Sequence, residues 1–380
     1  MKKPQYSLEI RSKTGYGREI YKFSSADGVS PKDGFRDEEL ALADHMEPSE
    51  DDKMLITQSG YGFLGAVFGD MTPEAETVLA DTSSRAHQLS KMNMKENDIT
   101  STSCEKLGFY TEIERSFDNI IYAPQNYQPV DLVKNRIENL IHLLNYDGSL
   151  YIAGRKKTGF KRYRKHLEEM KGDMKKIAQE GAVKIYMFKK NGQITVEKTE
   201  IEKEHLVEID GENLEFMSCE GLFSAGKLDS GTELLLKNTD ISDDRKVLDL
   251  ACGYGTVAAY TASKADIDLY LSDDNGLACH YAEQNLENNG IKEYELRHSD
   301  CLEGFKHESF DLILSNPPTH QGKGVTDEMF SSAHGSLNRG GSLVIVYNSN
   351  MRFEDSLKEL FSSTEVLEEQ DGFKVLRADK

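Results

Sequence analysis

The sequence predicts an α/β protein made of two tandem copies of one domain, each a mostly parallel twisted sheet with helices on both faces. Three observations carry this. Short apolar runs alternate with longer segments of helical period, the pattern of parallel strands joined by crossover helices. The chain also repeats itself: Lys53-Met-Leu-Ile-Thr-Gln-Ser-Gly-Tyr-Gly62 matches Lys246-Val-Leu-Asp-Leu-Ala-Cys-Gly-Tyr-Gly255 at a separation of 193 residues. Within one residue of that separation, Val78–Asp81 faces Tyr270–Asp273, Asn93–Ile99 faces Asn285–Ile291, Phe117–Pro124 faces Phe310–Pro317 and Leu144–Leu150 faces Leu337–Leu343. Collinear matches of this kind mark a duplication. Finally, each copy carries an apolar strand that ends in a Gly-x-Gly turn and runs into a helix.

The two domains are read as residues 1–200 and 201–380, joined in the charged run Thr199–His205. The second copy is the sharper. Its Glu215–Leu236 segment ends in an apolar helix start, with Asp229, Ser230 and Thr232 supplying cap chemistry. Val247–Leu250 is a strand and Thr256–Ser263 begins a helix. Gly253 and Gly255 let the chain bend between them and approach a ligand closely. The helix then aims its first N–H groups above the sheet. Ile267–Leu271 is a strand leading to Asp273-Asp274. Leu277–Asn288 is a helix whose Leu277, Tyr281 and Leu286 share a face, closed by Gly290. Tyr294–Leu296 leads to Asp300; Leu312–Leu314 and Leu343–Tyr347 are the fourth and fifth strands, the latter after a turn at Asn338-Arg-Gly-Gly. Phe361–Leu367 and Phe373–Arg377 flank Gln370-Asp-Gly372 as a closing hairpin. In the first copy the matching hairpin is read as Val183–Phe188 and Gln193–Glu197 around Asn191-Gly192. The stretch from Tyr21–Ser25 through Glu39–Leu42 is a looser counterpart of the segment before the first strand.

With 38% hydrophobic and 29% charged residues the chain reads as globular, and no apolar run approaches a membrane span of ~18 residues. No apolar segment follows the N-terminal Met-Lys-Lys-Pro, so no signal peptide is expected. The five cysteines are scattered without a Cys-x-x-Cys. They predict reduced thiols, a cytoplasmic location and no metal site. The net charge of −20 opposes a polyanionic partner unless a local basic patch does the holding. Gly154-Arg-Lys-Lys-Thr-Gly-Phe-Lys-Arg-Tyr-Arg-Lys-His166 is the densest basic run. Arg155, Lys156, Lys157, Lys161, Arg162 and Arg164 there are candidate RNA contacts, with Phe160 and Tyr163 interleaved. The same run also reads as the solvated face of a helix, since Leu167, Met170 and Met174 follow at helical spacing.

The Gly253-Tyr-Gly255 turn lacks the third glycine of a dinucleotide fingerprint, Ala258 standing in its place, and Asp249 lies in the strand ahead of it. This resembles motif I of class I S-adenosylmethionine (SAM) methyltransferases, and implies that Asp249 meets the SAM amino group near Gly253 and Gly255. Asp273, at a second-strand end, suits ribose hydroxyls, with Asp274 beside it. Asp311-Leu-Ile-Leu-Ser-Asn-Pro-Pro-Thr-His320 ends a strand in Asn316-Pro317-Pro318. That resembles motif IV of enzymes that methylate exocyclic or amide nitrogen. A planar NH2 is a poor nucleophile. The Asn316 oxygen and the Pro317 carbonyl suit its two hydrogens, and proline helps fix that carbonyl. The first copy loses this chemistry: Ile56 stands for Asp249, Ala123 for Asn316 and Gln125 for Pro318, although Gly60, Gly62 and Asp81 remain.

Two such folds, the first degenerate, with Gly-Leu-Phe-Ser and Leu-Asp-Ser-Gly-Thr ahead of motif I and Asn-Pro-Pro-Thr-His at motif IV, resemble the ribosomal RNA small-subunit methyltransferase C family and its relatives among the large-subunit methyltransferases of type G. The resemblance implies tandem Rossmann-like class I methyltransferase domains, each a seven-stranded sheet with one antiparallel edge strand. It implies SAM as methyl donor, the N2 amine of a guanine in ribosomal RNA or a ribosomal subunit as target, an adenine contact at Asp300 and a substrate contact at His320. The first copy would then be a substrate-holding module. The family's aromatic after Asn-Pro-Pro is here Thr319, which removes a stacking ring worth ~1–3 kcal/mol; Tyr347 and Phe223 are the rings that could replace it. The alternatives are N-methylation of a protein glutamine or a DNA adenine, and a non-catalytic RNA- or ribosome-binding factor. Intact Asn316-Pro317-Pro318 with intact Gly253 and Gly255 argues against the last.

Overall fold

Both halves of the sequence fold into the same order of elements. The computed structural model describes residues 4–11, 17–108, 112–192, 194, 196, 197, 201–243 and 245–380. They divide into two units, Met1–Ile201 and Glu202–Lys380. In the first unit the order is β1 (Tyr6–Arg11), β2 (Ile20–Ser25), α1 (Asp37–His45), β3 (Lys53–Thr57), α2 (Phe63–Met71), β4 (Glu76–Asp81), α3 (Ser84–Glu96), β5 (Thr102–Lys106), β6 (Phe117–Tyr122), α4 (Val130–His142), β7 (Leu144–Arg155), α5 (Phe160–Glu169), β8 (Asp173–Glu180) and β9 (Val183–Lys189). The second unit repeats it: β10 (Glu202–Ile209), β11 (Glu212–Cys219), α6 (Ser230–Lys237), β12 (Lys246–Leu250), α7 (Thr256–Lys264), β13 (Asp268–Asp273), α8 (Gly276–Asn288), β14 (Glu295–His298), β15 (Phe310–Ser315), α9 (Lys323–Ser336), β16 (Leu337–Asn348), α10 (Glu354–Leu360), β17 (Ser363–Gln370) and β18 (Phe373–Asp379).

Each unit has one seven-stranded sheet, in the orders β5-β4-β3-β6-β7-β9-β8 and β14-β13-β12-β15-β16-β18-β17. The first five strands of each are parallel. One expectation is corrected here. The antiparallel strand is not at the edge: β18 lies between β16 and β17, antiparallel to both. The tight turn at Asp371 and Gly372, with φ of 50° and 82°, folds the last strand back inside the one before it.

Two further boundaries differ from the sequence reading. The hairpin of the first copy is β8 with β9, so its arms lie about ten residues earlier than the periodicity suggests. Helix α5 stops at Glu169, and Met174 belongs to a strand. Of the arm expected at 193–197, residues 193 and 195 lie outside the described residues. The predicted turn at Asn338–Gly341 is an irregularity inside β16: Phe310 pairs with Leu337, then Leu312 with Ser342. A Cβ on Gly341 would meet the Phe310 carbonyl oxygen at 3.0 Å, which is why the bulge carries glycine there.

Each unit also has a separate antiparallel pair, β1 with β2 and β10 with β11. Residues Glu202–His205 of the expected junction already belong to β10. These pairs are held by asparagines spaced one helical turn apart. Asn285 of α8 accepts from the Met217 N–H at 2.7 Å and donates to the carbonyls of Met217 and Tyr254, both at 2.8 Å. Asn289 does the same to Glu215, at 3.0 and 2.7 Å. In the first copy Asn93 and Asn97 hold Ser24 and Lys22 in the same manner. Apolar side chains fill both faces of each sheet. In the second unit the core includes Leu248, Leu250, Ile313, Phe330, Ile345 and Leu376, all nearly solvent-free. Among the described residues no helix is long and apolar enough to cross a membrane.

Candidate active site

The site lies at the C-terminal edge of the second sheet. There β12 has β13 on one side and β15 on the other. The chain runs outward one way through β13 and β14, then the other way through β15 and β16. Open parallel sheets hold ligands in the crevice at that reversal.

The turn leaving β12 is sharply bent: Ala251, Gly253 and Gly255 have φ of 62°, 56° and 88°. The N–H groups of Ala251 and Cys252 both donate to the Ser272 carbonyl, at 2.8 and 3.2 Å. The Gly253 N–H donates to Asp273 Oδ2 at 2.9 Å. The two glycines are needed for different reasons. A Cβ on Gly255 would press on the Cα of Ala282 at 3.2 Å, so α8 packs against bare backbone. A Cβ on Gly253 would meet nothing within 4 Å. That position faces open space, so a ligand could approach the backbone there.

The acids surround this turn. Asp249 is buried at 2% exposure, and its Oδ2 accepts from the Ala258 N–H at 3.0 Å. Burial pushes its carboxyl up to about 8, the Ala258 N–H pulls it down and the neighbouring Asp273 pushes it further up. Asp273 accepts from the N–H of Asn275 at 2.8 Å as well as from Gly253. Its carboxyl is pushed up to about 6 by burial, against those two donors. Asp274 follows, and its carbonyl meets His298 Nε2 at 3.0 Å. Asp300 is buried after β14, with ligand atoms of Asp300, Cys301 and Glu328 all within 4.8 Å of one another.

Asn316 leaves β15 beside the same turn. In the ladder Asp249 lies opposite Leu314, and Ser315 Oγ donates to the Leu250 carbonyl at 2.6 Å, tying the two strand ends. Asn316 Nδ2 donates to Asp229 Oδ2 and to Thr232 Oγ1, both at 3.0 Å. Pro318 has φ −75° and ψ 76°, an inverse γ-turn, and the Thr319 N–H donates to the Pro317 carbonyl at 2.8 Å. That carbonyl keeps a second lone pair. His320 is exposed in the following single turn. The Tyr254 hydroxyl donates to the Lys227 carbonyl at 2.9 Å, so the segment between Gly221 and Leu228 is tied to the glycine turn. Phe223 on that segment is 58% exposed. Tyr347 is buried against Phe353 and is not available to a base.

The first copy is closed where the second is open. A Cβ on Gly60 would meet the Ser30 carbonyl oxygen at 3.0 Å, because the chain itself covers that turn. Asp81 accepts from Gly60 at 3.1 Å and Ser83 at 3.0 Å. Arg36 Nη2 donates to the carbonyls of Ala123 and Pro124, at 2.9 and 3.1 Å. The Pro124 carbonyl, which corresponds to that of Pro317, is therefore taken by the protein.

The basic run splits into two classes. Lys156, Lys157, Lys161 and Arg162 are exposed, and among the described residues they pair with no acid. Arg155 is bound internally, to Glu38 at 3.0 Å and to Asp37. Arg164 pairs with Glu168 at 3.6 Å. Phe160 and Tyr163 are buried at 4% and 5% with Leu167, so they anchor α5 and do not interleave the cations as stacking rings. The contact of Asp229 and Thr232 with Asn316 was not foreseen from sequence, where they read as cap residues alone. The repeat holds the signal: Asp229, Thr232 and Asn316 correspond to Arg36, Glu39 and Ala123, so the three change together.

Comparison with known proteins bears on the whole chain. The methyltransferase small domain family matches residues 21–187 and 213–377, once in each copy. A ribosomal RNA large subunit methyltransferase G of Shewanella amazonensis is 27% identical over 345 residues, 86% of this chain and 86% of its own. A ribosomal RNA small subunit methyltransferase C of Haemophilus influenzae is 36% identical over 169 residues, which cover 43% of this chain and 51% of that protein. The solved T. thermophilus 16S rRNA N2 guanine methyltransferase RsmC, in complex with AdoMet and guanosine, matches with a TM-score of 0.82 at 23% identity over 98% of both chains. That likeness shows the same tandem fold.

Proposed function

The chain belongs to the methyltransferase small domain family, and from that premise we propose that its second copy methylates the exocyclic N2 amine of a guanine in ribosomal RNA, in the cytoplasm, with SAM as donor. The observation that carries this reading is the position of Asn316-Pro317-Pro318: it leaves β15 next to the glycine turn whose Gly253 faces open space.

Bound SAM supplies an electrophilic methyl group on a sulfonium. Asp249 and Asp273, flanking the turn, suit its amino group and its ribose hydroxyls. Asn316 Oδ1 and the free lone pair of the Pro317 carbonyl accept the two hydrogens of the guanine amine. Held this way, the nitrogen turns its lone pair out of conjugation and toward the methyl. The same two acceptors stabilise the positive charge that develops on nitrogen as the new N–C bond forms. The methylated nitrogen is then acidic and loses its proton to water. The exposed cations Lys156, Lys157, Lys161 and Arg162 of the first copy give an otherwise acidic chain a patch for phosphates. This favours RNA over a protein glutamine, whose amide presents the same flat NH2.

The test is transfer of labelled methyl from SAM to unmodified ribosomal RNA, free or in a ribosomal particle, beside protein and DNA controls. Asn316→Ala should abolish transfer and leave SAM binding nearly unchanged. Methylation of the protein or DNA control alone would overturn the substrate.

A further inference from the structure

We propose that Asp229 is a positioning residue for the reaction: it fixes which way the Asn316 amide faces. The proposal rests on the reading of Asn316 as acceptor of the substrate amine.

A side-chain amide has two faces of similar shape and opposite polarity, and only the oxygen is of use to an incoming NH2. Asn316 Nδ2 lies 3.0 Å from Asp229 Oδ2 and 3.0 Å from Thr232 Oγ1. A carboxylate accepts and never donates. Turning the amide over would set Oδ1 against the carboxylate oxygen and lose that bond, and Thr232 could donate to Oδ1 only by giving up its own bond to Asp229. Nδ2 is thus committed to α6, and Oδ1 is left to the opposite side of the amide.

The network leaves no donor idle. Thr232 Oγ1 accepts from Asn316 and donates its proton to Asp229 Oδ2, at 3.3 Å. The same carboxylate oxygen receives the Thr232 N–H at 2.9 Å and caps α6. A negative acceptor on the nitrogen also pushes electron density through the amide toward Oδ1, making it a stronger acceptor for the substrate.

The cap alone does not account for this residue. In the first copy the corresponding helix α1 begins at Arg36 with no side-chain cap, and forms all the same. There Ala123 has no amide to orient, and the position carries a guanidinium turned onto the Ala123 and Pro124 carbonyls. The carboxylate is present in the copy that has the asparagine and replaced in the copy that lacks it.

The experiment compares Asp229→Ser, Asp229→Asn and Asn316→Ala in the full chain, reading thermal stability, SAM affinity, and KM and kcat on ribosomal RNA. Serine caps a helix as well as aspartate does, but is too short to hold Asn316. Asp229→Ser should keep its melting temperature, its SAM affinity and its KM while kcat falls about 100-fold, the scale of a misplaced reacting group. Asp229→Asn keeps an acceptor of the same reach and should recover most of that loss. Wild-type kcat in Asp229→Ser, with Asn316→Ala inactive, overturns the proposal. So does a kcat loss in Asp229→Ser that merely tracks a fall in melting temperature while Asp229→Asn recovers nothing. Full activity in Asn316→Ala would instead overturn the reading of Asn316 itself.

Discussion

Asp249 Oδ2 accepts the backbone N–H of Ala258 at 3.0 Å, which joins the acid at the end of β12 to the first turn of α7 across the glycine turn. The bond is a small return for burying a carboxylate at 2% exposure. An isolated buried charge is strongly disfavoured, so the proton is retained well above the ordinary aspartate range.

This predicts a pH dependence of stability. The folded carboxyl titrates at about 8, above the unfolded value of 3.8, so between them the folded state binds the extra proton. Its contribution is complete below the unfolded value and is lost as pH rises through about 8. Asp273, pushed up to about 6, adds a slope of the same sign. Melting temperatures recorded from acid to mildly alkaline pH should fall more steeply in the wild type than in Asp249→Asn. SAM binding at alkaline pH should be weaker in that variant.

The two glycines of the turn separate binding from stability. Gly253→Ala places a Cβ in a left-handed backbone, at a cost of about 1–2 kcal/mol, and in the open space expected to hold SAM. Its main effect is on SAM affinity. Gly255→Ala adds the collision with Ala282, and its main effect is on folding. Calorimetric titration beside denaturant unfolding of both variants checks this; equal effects on both quantities would count against SAM lying at Gly253.

Of the two rings considered for stacking a base, Phe223 is exposed and Tyr347 is buried. Phe223→Ala should weaken RNA binding by about 1–3 kcal/mol, the scale of one base stacked on one ring. An unchanged KM for RNA would leave the base without an aromatic partner.

The exposed cations of the first copy are testable by salt. Replacing Lys156, Lys157, Lys161 and Arg162 by glutamine should lower RNA affinity and reduce the slope of log affinity against log salt by about 3, near 0.7 for each phosphate no longer neutralised. Arg155→Gln should behave differently, since that side chain is bound to Glu38 and Asp37, and its effect should appear in unfolding.

What the sequence made readable was local. The strands β12, β13 and β15, the glycine turn and the acids beside it follow from short apolar runs and from glycines with positive φ. Leu277 and Tyr281, four residues apart, share a buried face, whereas Leu286, nine residues beyond Leu277, lies on the far side of the helix and is buried there as well. What was not readable depends on distant partners. That β18 inserts between β16 and β17 is decided by pairing across the sheet, which leaves no periodic mark. The strand irregularity at Asn338–Gly341 has the residues of a turn, and only the register against β15 reveals it. Phe160 and Tyr163 looked available beside cations, yet with Leu167 they form one helical stripe, and burial decided the matter. The asparagines of α3 and α8 read as ordinary helix residues until the separate strand pairs they grip are seen.

Arg36 ties up the first copy at the place where the second holds its asparagine. Restoring aspartate at that position alone would remove two hydrogen bonds and find no amide to hold. Restoring asparagine at Ala123 alone would leave the guanidinium on the neighbouring carbonyl, and Ser30 would still cover Gly60. Each backward step forfeits bonds before any regained chemistry can reward it. A working site in the first copy would therefore take several simultaneous changes, at Arg36, Ala123 and the chain over Gly60, none of them rewarded singly.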